Sequence, residues 1–274
     1  MKHYLKTKDY AVSQEEFELV YDTDLDLLVT TPQPNNLSVY YDSEVYISHT
    51  DARKTFVDKI YQSVKKINLK NKLQLIASYS NAKNLLDVGA GTADFLIHAK
   101  ENHWNSTGVE PNIKAQEKAK QKGIELFSDL KALENKKFNV ITLWHVLEHL
   151  PDLEDQIKTL YNLLDEDGTL VIAVPNYKSY DAQYYKNFWA AYDVPRHLWH
   201  FSKTAIQKLF VKQGLEVVKI KPMLFDAFYV SLLSEKYKTG KQNFMKAFFI
   251  GLRSNLKAWQ TKEYSSHIYI LKKA

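Results

Sequence analysis

Short apolar runs alternate with amphipathic segments through the middle and the end of the chain. The apolar runs have strand length and lie at 84–89, 104–111, 138–146, 169–176, 215–222 and 265–273. Segments with helical spacing separate the first five of them, at 93–102, 113–123, 152–168 and 202–214. This alternation is typical of crossover units, and strands this continuously apolar are covered by helices on both faces. It predicts an α/β fold with a doubly wound, mostly parallel sheet.

The N-terminal part of the chain has a different pattern. Residues 1–50 look irregular and rich in tyrosine, with a break at the TTPQP stretch of 30–34. Helical spacing begins near Ser48 or Thr50, either of which would cap the helix. A second helix is predicted over 73–79. Residues 1–80 are therefore expected to form a cap or lid that is partly helical and partly irregular.

One long segment interrupts the alternation near the end. Residues 224–259 separate the last two predicted strands and show two helical patterns. We interpret them as a helical insertion in a core formed by 81–223 and 260–274. Four roles are open for the insertion: a substrate cap, a contact between subunits, a helix at a lipid surface, or an amphipathic helix that only packs on its own domain. The last of these is favoured. The apolar face of NFMKAFFIGLRSNLKAW with basic residues around it would permit peripheral lipid contact.

Composition excludes several classes of protein. The 274 residues contain no cysteine, so disulfides, thiolate metal sites and cysteine nucleophiles are absent. The 37 basic residues exceed the 32 acidic ones too slightly, and too evenly, to indicate a nucleic-acid partner. The densest basic patch, KKINLKNK at 65–72, fits a solvated helix face. Since the sequence has no apolar run typical of a signal peptide or a membrane span, we expect a cytoplasmic protein.

The stretch DVGAGTAD, residues 87–94, follows the first strand of the predicted core and carries two of only eight glycines. Glycine lets the backbone adopt unusual conformations and lets a ligand lie directly against it. A turn of this kind at the carboxyl edge of a parallel sheet is the usual cofactor crevice. Glu110 follows about twenty residues later, where an acid accepts the hydroxyls of a ribose. The pattern thus predicts an adenosine cofactor.

Three details narrow the choice of cofactor. A dinucleotide fingerprint has a third glycine where this chain has Asp94, and a phosphate-binding P-loop has a Gly-Lys-Ser/Thr ending that is absent here. Asp87 lies directly before the glycines, where a carboxylate would repel a pyrophosphate and attract an ammonium group. An adenosine with an amino-acid tail and no phosphate is S-adenosylmethionine (SAM). The same details disfavour a nicotinamide-dependent oxidoreductase.

These residues resemble motif I of the class I SAM-dependent methyltransferases. GVEPN at 108–112 resembles the second-strand acid of that family, and FSDL at 127–130 the segment beside the adenine. ITLWHVLEHLPD at 141–152 is similar to the fourth-strand signature of the small-molecule branch that includes ubiquinone-biosynthesis O-methyltransferases. LLDEDGTLVIAVPN and DVPRHLWHFS, at 193–202, continue the resemblance, which covers about 81–222. It implies a seven-stranded Rossmann-like sheet, SAM as the cofactor and S-adenosylhomocysteine (SAH) as its product.

The resemblance also implies a cofactor site. Asp87 would hold the ammonium group, Glu110 the ribose hydroxyls and Asp129 the exocyclic amine of the adenine. The full set of expected cofactor residues is Asp87, Gly89, Ala90, Gly91, Glu110, Pro111, Asp129, Leu130, Trp144 and His145.

A looser resemblance concerns the N-terminal segment. DYAVSQEEFELVYDTDLDLLVTTPQP resembles a small zinc knuckle of relatives in which a Cys-x-x-Cys pair precedes Thr-x-Pro-x-Pro. Asp22 and Leu25 stand at the two cysteine positions, so we expect no structural zinc and, more generally, no metal. Asp22, Asp24 and Asp26 lack the glycine and distal glutamate of a calcium loop, which favours a solvated turn.

Methyl transfer to a hydroxyl or amine needs a base near the acceptor. His145, His149 and His197 are the candidate catalytic residues, with His197 preferred; capping or hydrogen bonding is an alternative role for His149. The aromatic residues suggest an acceptor pocket, and the candidates for substrate binding are Tyr41, Tyr46, Tyr177, Trp189 and Arg196. For Arg196 a structural ion pair with Asp193 is the alternative.

The leading hypothesis is a SAM-dependent methyltransferase that modifies oxygen, nitrogen or carbon of a small-molecule acceptor. A second hypothesis replaces this acceptor by RNA or protein, and the mild charge disfavours it. A third is a binding domain without catalysis, which the intact Asp87, Gly89, Gly91 and Glu110 disfavour. The oligomeric state and the acceptor are not determined by the sequence.

Overall fold

The computed structural model describes residues 1–41 and 56–274, which form two sheets and eight helices. The strands are β1 (Lys2–Lys8), β2 (Glu16–Asp22), β3 (Leu27–Thr31), β4 (Asn84–Val88), β5 (Asn105–Val109), β6 (Phe138–Trp144), β7 (Leu164–Pro175), β8 (Trp199–His200), β9 (Leu215–Pro222) and β10 (Ser266–Lys273). The helices are α1 (Phe56–Ala77), α2 (Asp94–Glu101), α3 (Ile113–Gln121), α4 (Leu153–Leu163), α5 (Tyr180–Tyr185), α6 (Lys203–Val211), α7 (Asp226–Thr239) and α8 (Phe244–Thr261).

The larger sheet has six strands in the order β5-β4-β6-β7-β10-β9. The first four strands in this order are parallel, and β10 runs antiparallel to both β7 and β9. Successive buried residues point to opposite faces: Leu86 and Ile141 belong to one core cluster, and Leu85 and Val140 to another. Both faces are therefore covered, which confirms the α/β class with a mostly parallel, doubly wound sheet.

One detail that the resemblance implied for the sheet was wrong. The sheet has six paired strands among the described residues, not seven. Next to β5 there is only a single parallel bridge, between Val109 and Phe127. It has two backbone hydrogen bonds, from Phe127 N to the Gly108 carbonyl oxygen (3.0 Å) and from Glu110 N to the Phe127 carbonyl oxygen (2.9 Å). The chain leaves this edge at once, because Asp129 caps a 3₁₀ turn at Leu130–Leu133.

The N-terminal segment is also more regular than predicted. It forms a four-stranded antiparallel sheet in the order β1-β2-β3-β8. In β2 the buried Phe17 and Leu19 alternate with Glu16 and Glu18, a period of two that indicates a half-buried strand. The sheet is completed by β8, more than 160 residues later in the chain, so local sequence gives little indication of its pairing.

The two helices predicted before the core form one helix. Helix α1 runs without interruption from Phe56 to Ala77 and includes the segment 73–77. The predicted caps Ser48 and Thr50 lie outside the described residues. Helix α1 packs on α2 through its buried C-terminal part, where Leu73 and Ile76 join the core cluster of Leu96.

Helices α7 and α8 form an antiparallel pair between β9 and β10. Small residues line the face of α8 toward its neighbours: a Cβ at Gly251 would lie 2.9 Å from the Phe228 Cα atom, so only glycine permits this approach. The opposite face leaves large apolar side chains exposed. They are Phe248, Phe249, Leu252, Leu256 and Trp259, with exposed fractions between 38% and 72%.

Among the described residues no helix is long and apolar enough to cross a membrane.

Candidate active site

The predicted glycine turn lies at the carboxyl edge of the large sheet. Gly89 and Gly91 have φ angles of +72° and +54°, values that L side chains rarely adopt. A Cβ at Gly89 would lie 2.3 Å from Val146 Cγ2, so this glycine permits contact with the segment after β6. A Cβ at Gly91 would meet nothing within 4 Å. The turn is thus packed on one side at Gly89 and open at Gly91.

Asp87 lies two residues before this turn and is 3% exposed. Thr142 Oγ1 donates a hydrogen bond of 2.6 Å to Asp87 Oδ1 from the neighbouring strand β6. Burial raises the pKa of Asp87 to about 6, against the lowering effects of this hydrogen bond and of Lys72. Asp87 is therefore a carboxylate at neutral pH in a setting that favours a cationic partner.

Lys72 is a residue of this site that was not predicted. Its ammonium group lies over the Trp144 ring at 4.5 Å from the centroid, and burial lowers its pKa against the attraction of Asp87 and Asp226. We interpreted 65–72 as a solvated helix face. The signal was the position of Lys72 between the apolar residues Leu69, Leu73 and Ile76, which places it on the buried stripe of α1.

Glu110 closes the turn from the end of β5. Gly91 N donates to Glu110 Oε2 (2.8 Å), and Asn112 N donates to Oε1 (2.9 Å). Burial raises the pKa of Glu110, and these two backbone hydrogen bonds oppose the shift. The predicted acid therefore contacts the predicted turn, and each of its oxygens keeps lone pairs for further donors.

The other predicted cofactor residues differ in exposure. Asp129 is exposed and accepts hydrogen bonds from Lys131 N and Ala132 N, while the Leu130 side chain is buried in the core. Pro111 is exposed beside Glu110. The Trp144 Nε1 atom is buried without a hydrogen-bond partner among the described residues. A buried donor of this kind is costly unless a ligand satisfies it.

His145 follows β6 with a φ of +57° and is held between two carboxylates. Its Nε2 lies 3.1 Å from Asp226 Oδ2, and its Nδ1 lies 3.4 Å from Glu148 Oε1. Burial alone would lower the pKa of His145, but the two carboxylates outweigh it and raise the pKa to about 10. With this pKa His145 is a cation at neutral pH, which disfavours its predicted role as a base. Asp226, the first residue of α7, was not predicted.

His149 and His197 lie against each other, with ring centroids 4.5 Å apart. The Tyr41 hydroxyl lies 2.8 Å from His149 Nδ1, which brings one predicted substrate residue to a predicted catalytic one. Burial lowers the pKa of His149 to about 4, and the charge of His197 adds to this shift. His149 is therefore neutral at neutral pH. Tyr46, another predicted substrate residue, lies outside the described residues.

The other three predicted substrate residues are used within the fold. Arg196 is fully buried, with Nη2 at 2.9 Å from Asp9 Oδ1 and 2.6 Å from Asp193 Oδ1. Tyr177 and Trp189 are also buried: the Tyr177 hydroxyl donates to Asp26, and Trp189 Nε1 donates to Asp181. Because their polar atoms have internal partners, the structure disfavours substrate binding by Arg196, Tyr177 and Trp189. For Arg196 it favours the alternative, an ion pair with Asp193.

The predicted knuckle is a hairpin turn between β2 and β3. Asp22 Oδ1 accepts hydrogen bonds from the backbone N–H groups of Asp24 and Leu25. Asp26 lies in a buried cluster in which Lys178, Ser202, Tyr21 and Tyr177 contact its carboxylate. Side-chain and backbone hydrogen bonds thus stabilise the turn.

A cavity of about 640 Å³ lies elsewhere, between β1, Phe188 and α7. Lys6, Tyr10 and Lys236 are among its lining residues, and none of the predicted site residues lines it. The carboxyl edge of the sheet is the better candidate site, because Asp87, Lys72 and Glu110 converge there beside the open glycine turn.

Residues 61–220, more than half of the chain, match a family described as a methyltransferase domain. No curated protein sequence matches the chain at a significant level.

Several solved structures have a similar fold. The magnesium protoporphyrin IX methyltransferase of Synechocystis PCC 6803 with bound SAH has a TM-score of 0.57 and 15% identity, covering 86% of this chain and 97% of that chain. A SAM-dependent methyltransferase of Archaeoglobus fulgidus has a TM-score of 0.53 and 19% identity, covering 80% and 100%. A SAM-dependent methyltransferase of Thermotoga maritima has a TM-score of 0.53 and 18% identity, covering 80% and 97%.

Proposed function

The chain belongs to the methyltransferase domain family, and we propose that it transfers a methyl group from SAM to a small-molecule acceptor. The observation that carries this proposal is the buried, charged Asp87 beside a glycine turn that is open at Gly91. When bound, SAM would supply a methyl group attached to a positively charged sulfur.

The residues fit the amino-acid end of SAM. This end carries an ammonium and a carboxylate, and the site offers Asp87 and Lys72, whose charges attract each other in this structure. We propose that Asp87 holds the ammonium group and that Lys72 pairs with the carboxylate. The unpartnered Trp144 Nε1 adds a donor on the same side.

The adenosine end would lie along the open side of the turn. Glu110 would accept the ribose hydroxyls through lone pairs that its two backbone hydrogen bonds leave free. Asp129, which is exposed, would accept the exocyclic amine, with Gly89, Ala90, Pro111, Leu130 and the backbone of His145 as neighbours. The SAM and SAH bound in solved neighbours of the same fold support this assignment.

The acceptor would lie beside Tyr41, His149 and His197. His149 lies in the segment after β6, and both Tyr41 and His197 contact it. The same segment contacts Gly89 of the turn through Val146. Methyl transfer is an in-line displacement, and orientation of the two reactants alone can lower the barrier by about 7–11 kcal/mol. His149 and His197 remain the proposed catalytic residues. The charged His145 instead forms an ion pair with Asp226, the first residue of α7.

Small molecules are the favoured acceptors because the neighbours of this fold include an enzyme whose described acceptor is a porphyrin. An RNA or protein acceptor, and a binding domain without catalysis, are the alternatives. Turnover assays with SAM and mixed acceptor pools test the catalytic claim, with SAH release as the readout.

Cofactor binding is tested by calorimetric titration of SAH. Glu110→Ala removes charge-assisted hydrogen bonds worth about 1.5–3 kcal/mol, so we expect the affinity to fall about 10–100-fold. Glu117→Ala on the exposed side of α3 is the matched control and should bind SAH like the wild type. Equal affinities of the wild type and Glu110→Ala would contradict the proposed site.

We also propose that the exposed face of α8 contacts anionic lipid. Residues 236–262 carry seven basic residues and no acidic one, around the exposed Phe248, Phe249 and Trp259. Cosedimentation with phosphatidylglycerol vesicles should exceed that with phosphatidylcholine vesicles and should decrease in Phe248→Ser/Trp259→Ser. Equal sedimentation in all cases would contradict lipid contact.

A further inference from the structure

Three potential metal ligands meet at the acceptor side of the site. One carboxylate oxygen of Glu148 and one ring nitrogen each of His149 and His197 lie within 4.8 Å of one another. Glu148 and His149 belong to the 3₁₀ turn after β6, whereas His197 comes from a distant part of the chain. Two imidazoles and one carboxylate form a common ligand set for divalent transition metals.

Glu148 forms an ion pair with His145, but its carboxylate makes no hydrogen bond among the described residues. The Glu148 side chain is 1% exposed. His145 Nδ1 lies 3.4 Å from Oε1 without hydrogen-bond geometry. His145 lowers the electrostatic cost of the buried charge but leaves the oxygens unsatisfied. Such oxygens are stabilised by a cation that they coordinate.

The two histidines are oriented as metal ligands are. His149 Nδ1 lies 3.0 Å from the Arg196 carbonyl oxygen, and His197 Nδ1 lies 2.9 Å from the Ala191 carbonyl oxygen. A carbonyl oxygen only accepts, so each Nδ1 carries a proton, and the Tyr41 hydroxyl oxygen then accepts from the same His149 Nδ1–H. In the neutral form of each ring, Nε2 keeps its lone pair. In metal sites, ligating histidines are fixed in the same way, by donation from the other ring nitrogen.

The cluster lies where a methyl acceptor is needed. Val146, two residues before Glu148, is the residue that a Cβ on Gly89 would touch. Tyr41 contacts His149 from the N-terminal part of the chain. The cluster therefore adjoins the glycine turn and is reached by a residue proposed to contact the acceptor.

We propose that Glu148, His149 and His197 bind one divalent ion of the zinc class, with open positions for an oxygen of the acceptor. Binding of the ion rests on this geometry alone, whereas its role rests on the proposed function. The expectation of no metal came from the absence of cysteine and from the altered knuckle, and neither concerns this cluster.

The ion would activate a hydroxyl acceptor. A hydroxyl bound to the ion loses its proton to water more readily, because the ion stabilises the resulting oxyanion. The oxyanion then forms the oxygen–carbon bond to the methyl group as the carbon–sulfur bond breaks, and that electron pair stays on sulfur in neutral SAH. This chemistry selects acceptors with a hydroxyl, preferably beside a second oxygen that completes the coordination.

Metal binding can be measured without turnover. Tag-free protein is stripped with chelator and titrated with Zn²⁺ by calorimetry, and Co²⁺ is added separately to record the visible absorption of the bound ion. We expect one equivalent of Zn²⁺, with affinity reduced at least about tenfold in each of Glu148→Gln, His149→Gln and His197→Gln. His98→Gln, on the surface of α2, is the control and should bind like the wild type.

Titration of SAH into the same samples separates the two proposals. Zinc binding lost in the three ligand variants with SAH affinity retained would support the metal site and show that the variants are folded. A wild type that binds SAH but no zinc, or variants that bind zinc as the wild type does, would overturn the metal site alone. Absence of SAH binding to the wild type would instead contradict the proposed cofactor.

Discussion

The glycine turn after β4 and the segment from Asp193 to His200 both carry polar groups that the sequence suggested for ligand binding. In the turn, Gly91 faces open space and Trp144 Nε1 has no partner among the described residues. In the second segment, Arg196 is surrounded by Asp9, Asp193 and a backbone carbonyl. The first region therefore keeps a polar group available to a ligand, whereas the polar groups of the second region bind other residues of the chain.

The difference shows what decides the role of a polar residue. A buried polar group must be satisfied, and either the chain or a ligand can do this. The partner Asp9 comes from the turn after β1, more than 180 residues from Arg196, so only the folded chain reveals it. A polar residue whose partners are all internal contributes to stability, and its substitution affects folding before it affects binding.

The largest effect is expected for Arg196→Met. It leaves the buried Asp9 and the half-buried Asp193 without their cation, and breaking a buried pair costs about 3–5 kcal/mol. Urea denaturation of the variant and the wild type measures the change in the free energy of unfolding.

Lys212→Met is the control for Arg196→Met, because Lys212 pairs with Glu154 at the surface with both side chains more than half exposed. Such pairs contribute about 0–1 kcal/mol. If Arg196→Met also lost less than about 1 kcal/mol, the structural role of Arg196 would be refuted, and a ligand-binding role would again be open.

A smaller effect, on binding instead of folding, is expected for Gly91→Asn. Asparagine tolerates a positive φ, so its side chain mainly fills the open space beside the turn. We expect SAH affinity to fall about 10–100-fold, the effect of roughly 1–3 kcal/mol of steric conflict.

Gly123→Asn is the matched control for Gly91→Asn. Gly123 also has a positive φ, at +80°, and also has nothing within 4 Å of the Cβ position, but it lies after α3. The two variants should lose similar stability, and only Gly91→Asn should lose SAH affinity. Unchanged affinity in Gly91→Asn would place the cofactor away from this turn.

The smallest effect is a pH dependence of SAH binding. The pKa of Asp87 is raised to about 6, so the carboxylate is charged above pH 6 and becomes neutral as the pH falls through this value. Its attraction for the ammonium of SAH is then lost, and we expect the affinity to fall roughly tenfold per pH unit below the pKa.

Calorimetry at pH 5 and pH 7 on the wild type and Asp87→Asn isolates the contribution of Asp87. The variant should bind SAH more weakly at pH 7 and show a smaller decrease at pH 5. A pH dependence of equal size in both proteins would assign it to another group, such as Glu110, whose pKa is also raised.

Much of the core could be predicted because its signals are local. The apolar runs that form β4, β6 and β7 have strand length in the sequence. The glycine turn was predictable because its conformation depends only on the residues between β4 and α2. The pairing of β3 with β8 was not predictable, because more than 160 residues separate Val29 from its partner Trp199. Lys72 was misjudged because Lys70 and Asn71 directly before it are solvated, whereas its neighbours in space are Trp144 and Phe95.

The sequence by itself determined the α/β class, the position of the glycine turn and the acid before it. These depend on backbone conformation and on hydrophobic periodicity, which neighbouring residues fix. Only the tertiary structure decided which polar side chains remain free: it paired Arg196 with Asp9, charged His145 through Asp226 and brought His197 to Glu148. Electrostatic and hydrogen-bond partners act over a few ångströms in space, and the distance along the chain gives no measure of that separation.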